Sequence, residues 1–287
     1  MTEQNAKAPK KEKRAKKGRK LFWLLVIAAV WWFNNYTLRV NNVELTSSKI
    51  VSPVRFAVIS DLHAAKIGIS NKTILSAVES AKPDAVFILG DMYTSGSTPE
   101  LIDKSVELAA DIIRSGYPVY VVTGEHDYDD EYLEALESTG ADVMRYDTAS
   151  VEIKGSRIRI MGIDNVYYTP TFDLNNEFVL DGNCYNILLA HIPNYDKFAS
   201  FGADLTICAD THGGMAQIPF GGGPFYDSET GTWLPKLLRK DVKVYDKGFF
   251  GYDGGTMFIT SGIGAYPAPV RFNNRPEVVV MDVKPKG

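Results

Sequence analysis

The chain has 287 residues, a formal net charge of −4, four histidines and two cysteines. This length suits one medium α/β domain or two small ones, and its 45% hydrophobic and 23% charged residues argue against wholesale disorder. Two cysteines exclude both a disulfide scaffold and a four-cysteine zinc site. Any site that uses imidazole groups must therefore draw on only four residues.

The charge is distributed unevenly along the chain. Residues 1–20 contain nine Lys or Arg and two Glu, a net charge of +7, so the remaining residues carry −11. A basic tail can bind nucleic acid, but a body of this acidity repels the phosphate backbone. We therefore expect no nucleic-acid partner.

An uncharged stretch over residues 21–38 follows the basic tail, and residues 21–33 are all apolar. About 18 uncharged residues is the minimum for crossing a hydrocarbon core of ~30 Å, and Trp31 and Trp32 suit a membrane interface. The pattern predicts a cytoplasmic tail over 1–20 and a single-pass transmembrane anchor over 21–38, which places the rest outside the cytoplasm. A cleaved signal peptide is the alternative, although no small-x-small cleavage site follows.

Strands and helices alternate after this segment. Residues 39–53 are expected to form a short strand and a linker, and residues 54–287 one domain. A continuous apolar run predicts a buried strand over 85–89, and further strands are predicted over 54–60 and 118–122. Cap residues and spacing predict helices over 71–81, 99–114 and 130–138, with Ser70 or Asn71 and Thr98 beginning the first two. The pattern indicates a layered α/β fold with a mixed sheet.

The second half of the chain is richer in strands than in helices. Residues 219–247, rich in Gly and aromatic residues, are expected to form a long loop near one end of a sheet. Strands are predicted over 151–153, 158–161, 185–190, 205–209, 256–260 and 278–283.

Residues suited to metal binding follow five of the predicted strands, and all four histidines are among them. Open α/β sheets bind ligands beyond the carboxyl ends of their strands. In extended backbone residues i and i+2 share a face, which would pair Asp61 with His63 and Asp210 with His212. One such motif is weak evidence, because an Asp after a strand is usually a turn former. Five such motifs, each at the end of a predicted strand, are specific evidence for one shared metal site.

This ordered set of motifs resembles that of the calcineurin-like metallophosphoesterases, and in particular their membrane-associated bacterial phosphohydrolases. The family pattern is D-x-H, G-D, G-N-H-D/E, a later H and G-H-x-H. The matching positions here are residues 61–63, 90–91, 124–127, 191 and 210–212. The resemblance extends over residues 54–283 and implies a four-layer α/β/β/α sandwich that hydrolyses phosphoester or pyrophosphate bonds with two divalent metal ions.

The resemblance also assigns roles by position. Asp91 would bridge the two metals, and an activated hydroxide would attack phosphorus. His126 would protonate the leaving oxygen and Asp127 would orient it, since the pKa of a histidine lies near neutral. The implied metal ligands are Asp61, His63 and His212 at one site and Glu125, His191 and Asp210 at the other.

Two positions of the second site depart from the family pattern. Glu125 replaces the usual Asn, and Asp210, which follows Ala209, replaces the usual His. The set then contains four carboxylates, which would neutralise two divalent ions. We expect Mn, Fe, Zn or Mg ions, with a hard cation preferred at the oxygen-rich second site, and a lower relative affinity for dianionic monoesters than for diesters.

The sequence is compatible with more than one substrate and with more than one level of activity. An anchored enzyme would reach either a phosphorylated small molecule or a lipid phosphate at the outer face of the membrane. Loss of the altered second site would instead leave a weakly active or non-catalytic module that binds metal or phosphate. Arg271 either contacts phosphate or pairs with an acid.

Overall fold

The computed structural model describes residues 10–127, 129–164, 172–220, 222–227, 232–235, 244–266 and 268–287. The helices are α1 (Lys10–Tyr36), α2 (Asn71–Ala81), α3 (Pro99–Arg114), α4 (Asp130–Ser138) and α5 (Tyr195–Phe201). The strands are β1 (Arg39–Ser47), β2 (Val54–Ile59), β3 (Ala85–Ile88), β4 (Val119–Val121), β5 (Asp142–Val143), β6 (Asp147–Ile153), β7 (Ser156–Gly162), β8 (Tyr185–Leu189), β9 (Leu205–Cys208), β10 (Pro224–Asp227), β11 (Thr232–Pro235), β12 (Gly248–Tyr252), β13 (Gly255–Ile259) and β14 (Glu277–Pro285).

Two six-stranded sheets form the centre of the described chain. The first has the order β1-β14-β2-β3-β4-β5 and the second the order β12-β13-β9-β8-β7-β6. Strands β2, β3 and β4 run parallel in the first sheet, as do β7, β8 and β9 in the second. The carboxyl ends of these strands therefore share one edge within each sheet.

The alternation of side chains along β2 explains the layers. Phe56 and Val58 pack in the apolar core shared by the two sheets, and the Phe56 ring stacks on Phe87 at 4.9 Å. Ala57 and Ile59 point the other way and pack with helices α2, α3 and α4. Helix α5 covers the outer face of the second sheet, where Phe198 is fully buried. The layers run helix, sheet, sheet, helix, so the mixed α/β fold with two sheets is confirmed.

Most predicted elements are present, and several short ones were missed. The helices predicted over 71–81, 99–114 and 130–138 have those bounds, and the Ser70 hydroxyl accepts the N–H of Thr73 at 3.2 Å. Thr98 precedes α3 but makes no side-chain cap bond. Strands β5 and β12 and helix α5 were not predicted. The loop expected over 219–247 contains the β10–β11 pair, with residues 221, 228–231 and 236–243 outside the described residues.

Helix α1 contains the apolar stretch of residues 21–33. Ten of its large side chains are 43–63% exposed, on every side of the helix. Arg19 and Lys20 precede this stretch and Asn34 and Asn35 end it, so only 13 consecutive residues are apolar. Across the described residues, none of the helices has both the length and the hydropathy that a membrane crossing requires, so the span expected over 21–38 is not found. Residues 1–9 of the basic tail lie outside the described residues.

Candidate metal centre

The predicted ligands converge where the two sheets meet at their carboxyl edges. Asp61 and His63 follow β2 and Asp91 follows β3, while His191 and His212 follow β8 and β9 of the second sheet. Main-chain bonds extend the strand pairing into the site: the N–H of Asp61 donates to Gly90 O and that of His63 to Asp91 O, each at 3.0 Å. The edge therefore collects carboxylate and imidazole groups from both sheets.

The backbone at these residues is left-handed, not extended. Asp61, His63, Asp91, Asp210 and His212 all have φ between 42° and 67°. The expectation that each D-x-H pair shares a face through extended geometry is therefore wrong. The side chains converge because each chain segment turns sharply after its strand, a conformation that costs energy in non-glycine residues and is concentrated at functional sites.

Asp91 lies between histidines of the two sheets. Its Oδ2 is 3.6 Å from His63 Nε2 and 3.4 Å from His191 Nε2, and its side chain is 4% exposed. Its Oδ1 accepts the N–H of His126 at 3.0 Å. Burial would raise the pKa of Asp91, but His191 and His63 beside it lower it. The carboxylate is thus ionised and placed to share its oxygens between two cations.

His63 and His212 bring two ring nitrogens together beside Asp61. The two Nε2 atoms are 3.1 Å apart, and His212 Nε2 is 3.9 Å from Asp61 Oδ1. Burial, and then the neighbouring His212, lower the pKa of His63 to about 4, and burial also lowers the pKa of His212. Both rings are therefore neutral, which is the state in which imidazole binds a metal.

His191 presents a buried ring nitrogen with no hydrogen bond. Its Nδ1 is 2.6 Å from Leu89 O, and since a carbonyl only accepts, Nδ1 carries the proton. Nε2 is fully buried, faces Asp91 and makes no aligned hydrogen bond. Burial lowers the pKa of His191, but Asp91, Asp61 and Asp210 around it raise it to about 10. At that pKa the ring also carries a proton at Nε2 when no metal is bound, and a cation bound among the three carboxylates would take the place of that proton.

The two unusual residues lie at the periphery of this arrangement. Asp210 Oδ1 is 3.9 Å from His191 Nε2, and Glu125 Oε1 is 3.9 Å from His126 Nε2. Burial, together with Asp61 and Glu125, raises the pKa of Asp210 to about 7. Among the described residues, the sets of three whose ligand atoms lie within 4.8 Å of one another include neither Asp210 nor Glu125; they are Asp61 with His63 and His212, Asp61 with Asp91 and His191, and His63 with Asp91 and His126.

The prediction that Asp127 orients His126 is not supported by the contacts of Asp127. Its two oxygens accept the N–H groups of Met92 and Gly124, each at 2.7 Å, and burial raises the pKa of Asp127 to about 6. It therefore holds two loops of the site together. His126 Nδ1 instead faces the Ser95 hydroxyl at 3.1 Å.

The sequence analysis did not identify two residues that contact the site histidines. The Tyr266 ring stacks on His63 at 5.1 Å and meets His126 edge-on at 4.9 Å. The Thr94 hydroxyl is 3.0 Å from His63 Nδ1. The structure explains why this chain segment matters: a Cβ on Gly262 would lie 2.4 Å from Asp61 Oδ2, so the segment before Tyr266 approaches the site closely.

Arg271 takes neither of the roles proposed from the sequence. It is 2% exposed, and its guanidinium donates to the carbonyls of Ser261, Gly264 and Asn274. Its Nη2 is also 3.3 Å from His212 Nδ1. Arg271 thus fixes the loop behind His212, and in the described contacts it is bound to carbonyls instead of to an acid.

Comparisons with known proteins agree with this geometry. The family model for calcineurin-like phosphoesterases matches residues 54–214, more than half of the chain, and the chain belongs to that family. It is 25% identical over 221 residues to the uncharacterized metallophosphoesterase YkuE of Bacillus subtilis, covering 74% of this chain and 72% of that protein. It is 25% identical to an uncharacterized metallophosphoesterase of Aquifex aeolicus, covering 93% and 100%. It is 23% identical to phosphodiesterase YaeI of Escherichia coli, covering 81% and 83%.

Replacing His191 tests the metal centre directly. We expect His191→Gln to weaken metal binding by more than about 100-fold, since losing even an outer hydrogen-bond partner of a ligand costs about 10–100-fold. Elemental analysis after dialysis against limiting Mn²⁺ measures the bound metal per chain. Asp253→Asn, in the exposed turn between β12 and β13, serves as the control and should retain the wild-type content. Equal metal content in the two variants would show that His191 is not a metal ligand.

Proposed function

We propose that the chain is a metal-dependent hydrolase of phosphoester bonds, with pyrophosphate bonds as the related alternative. The observation that carries this is Asp91, buried between His63 and His191 at 3.6 and 3.4 Å. Membership of the calcineurin-like phosphoesterase family supports the reaction class. The ligand residues fit two divalent cations, because the carboxylate between the two sheets can contribute one oxygen to each.

Some residues of the site are assigned to cation binding and another to proton transfer. Asp61, His63 and His212 would hold one cation and His191 with Asp210 the other, and the bound cations would supply polarisation of the phosphate oxygens. His126 lies beside them with its Nδ1 facing Ser95 and its ring 5.3 Å from the His63 ring. We assign it proton donation to the leaving oxygen. Tyr266 packs against the rings of both histidines.

We propose diesters as the preferred substrates. Two divalent cations carry a charge of +4, and Asp61, Asp91, Glu125 and Asp210 together oppose it. Burial, and after it the neighbouring carboxylates, raise the pKa of Asp210 to about 7. A monoester dianion gains less from such a site than a diester monoanion does. The name of one relative, phosphodiesterase YaeI, is consistent with this proposal.

Removal of the proposed acid tests the mechanism. We expect His126→Ala to lower kcat on a 4-nitrophenyl diester by about 10²–10⁴, the usual contribution of general acid–base catalysis. Bound metal, measured by elemental analysis, should stay at the wild-type level, because His126 is not assigned as a ligand. If the wild-type rate is no faster than that of His126→Ala, the chain is instead a module that binds metal or phosphate without catalysis.

Exchanging Asp210 for the family's usual residue tests the charge argument. Asp210→His removes one carboxylate and adds a neutral imidazole beside His191, so the site becomes more positive and richer in nitrogen. We expect the ratio of monoester to diester kcat/KM to rise about tenfold, which corresponds to about 1.4 kcal/mol, with a shift from Mn²⁺ towards Zn²⁺. Rates measured across both substrates and both metals give this ratio. An unchanged ratio would show that the charge of Asp210 does not select the substrate.

We further propose that α1 attaches the catalytic domain, residues 54–287, to the outer face of the cell membrane through its apolar residues 21–33. The cytoplasmic placement expected for residues 1–20 required a membrane-crossing helix, which is not found among the described residues. This proposal is supported by the exposed apolar surface of residues 21–33 and by the basic residues before it. Apolar surface of this extent is rarely left in water, and Trp31 and Trp32 suit the interface.

Fractionation of cells tests this placement. We expect the chain to sediment with membranes in high salt and to dissolve in detergent, and an external protease to degrade the catalytic domain of intact cells. The double substitution Leu24→Glu with Ile27→Glu should release it, because both side chains are more than 60% exposed on α1. Val179→Glu, at a site outside α1 that is at least as exposed, should not. Wild-type chain in the soluble fraction would contradict the proposal.

A further inference from the structure

A cavity of about 250 Å³ lies between the last turn of α1 and the segment that follows β2. Its walls are mostly apolar, and Ile263 and Leu62 in them are 2% and 5% exposed. Ile67, also in the wall, is 76% exposed and therefore stands where the cavity opens to solvent.

The cavity joins two features of the molecule. His63, a ligand of the candidate metal centre, contributes to its lining, so an occupant would lie beside the position of a bound phosphate. Asn35 and Tyr36 of α1 and Pro269 form another part of the wall. The Trp31 indole donates to Pro269 O at 2.8 Å. This bond joins the wall of the cavity to the end of the exposed apolar stretch of α1.

Two polar side chains of the wall, Asn35 and Lys104, already have hydrogen-bond partners. The Asn35 amide donates to Trp31 O and Arg271 O, and its oxygen accepts the N–H of Arg271 at 2.8 Å. The Lys104 ammonium donates to Ala65 O at 3.0 Å. A sugar or a nucleobase would therefore bury polar groups that find few partners here, which is costly. A hydrocarbon chain needs no hydrogen-bond partners and can pack against the apolar part of the wall.

We propose that this cavity holds the part of a hydrocarbon chain nearest to the phosphate of the substrate, and that the substrate is a lipid phosphoester. The inference rests on the proposed phosphoesterase function. The phosphate binds at the metal centre, the chain enters the cavity past His63, and the rest of the chain continues towards the apolar surface of α1. A lipid would thus reach the site along α1 from the membrane.

A series of diesters with one leaving group tests the proposal. The probes are methyl, butyl, hexyl and octyl 4-nitrophenyl phosphate, each below its micelle concentration, with the full chain and Mn²⁺. We expect kcat/KM to rise by up to about fourfold for each methylene, which is about 0.8 kcal/mol, until the chain fills the cavity. Octyl phosphate should likewise bind more tightly than methyl phosphate in calorimetry.

A matched pair of variants tests whether the dependence of kcat/KM on chain length arises in this cavity. Ile67→Asp places a charge at the opening of the cavity and, because Ile67 is exposed, should leave folding unchanged. Each rate of this variant is divided by its own rate on the methyl diester, so that any general effect of the charge cancels. The substitution should flatten the dependence on chain length and weaken octyl phosphate binding at least tenfold. Val179→Asp, at a site 74% exposed elsewhere, should behave as wild type.

The possible failures are distinguishable. If the wild-type chain does not hydrolyse the methyl diester, the proposed function itself fails. If it hydrolyses all diesters at one rate, only the lipid assignment is wrong. A steep dependence that persists in Ile67→Asp would place the chain outside this cavity and overturn the proposal. If Ile67→Asp converts a dimer into a monomer in light scattering and leaves the dependence unchanged, the cavity serves contact between two copies instead.

Discussion

The buried carboxylate of Asp91, placed between imidazoles of two different sheets, sets the requirements that the rest of the site must meet. A carboxylate removed from water costs several kcal/mol unless positive charge compensates it. His191, whose pKa is raised to about 10, compensates in part, and cations at the same position would compensate further. The surroundings are shaped to this group: a Cβ on Gly124 would lie 2.1 Å from Asp91 Oδ1, and one on Gly90 would lie 2.2 Å from Gly124 N. The two motif glycines are needed because two loops close around one carboxylate.

The backbone conformation of the ligand segments follows from the same need to bring several loops close to Asp91. Five of the predicted metal ligands have left-handed backbone, which costs an L-residue roughly 1–2 kcal/mol in each case. Main-chain bonds from one segment to the next, such as Asp61 N–H to Gly90 O, hold these conformations. Asp127 adds two more bonds between loops. Metal binding would offset the remaining strain and the repulsion among the carboxylates, so binding and local stability are coupled.

The sequence predicted those parts of the molecule that depend on local pattern. Buried strands, three helices and the order of ligand motifs follow from apolar runs, cap residues and spacing. Helix α5, with seven residues, is too short to show a helical period, although Asn194 and Gly202 cap it. The roles of Asp127 and Arg271 depend on contacts with residues distant in sequence or on the turn of a loop, which no local pattern encodes. The extended D-x-H geometry failed for the same reason, since the turn after each strand is imposed by the opposite loop.

Helix α1 is joined to the catalytic edge through specific contacts, so it is more than a tether. Asn35 forms two hydrogen bonds with the backbone of Arg271, and the guanidinium of that residue reaches His212 Nδ1 at 3.3 Å. Arg275 adds a bond to Thr37 Oγ1 at 2.8 Å and lies 4.4 Å above the Phe33 ring. A chain that begins after Leu38 would lose these contacts and leave the backbone of Arg271 unpaired beside a metal ligand. The attachment also fixes the direction of α1 relative to the metal centre. Any surface that receives the apolar residues of α1 therefore receives the catalytic edge in a defined orientation.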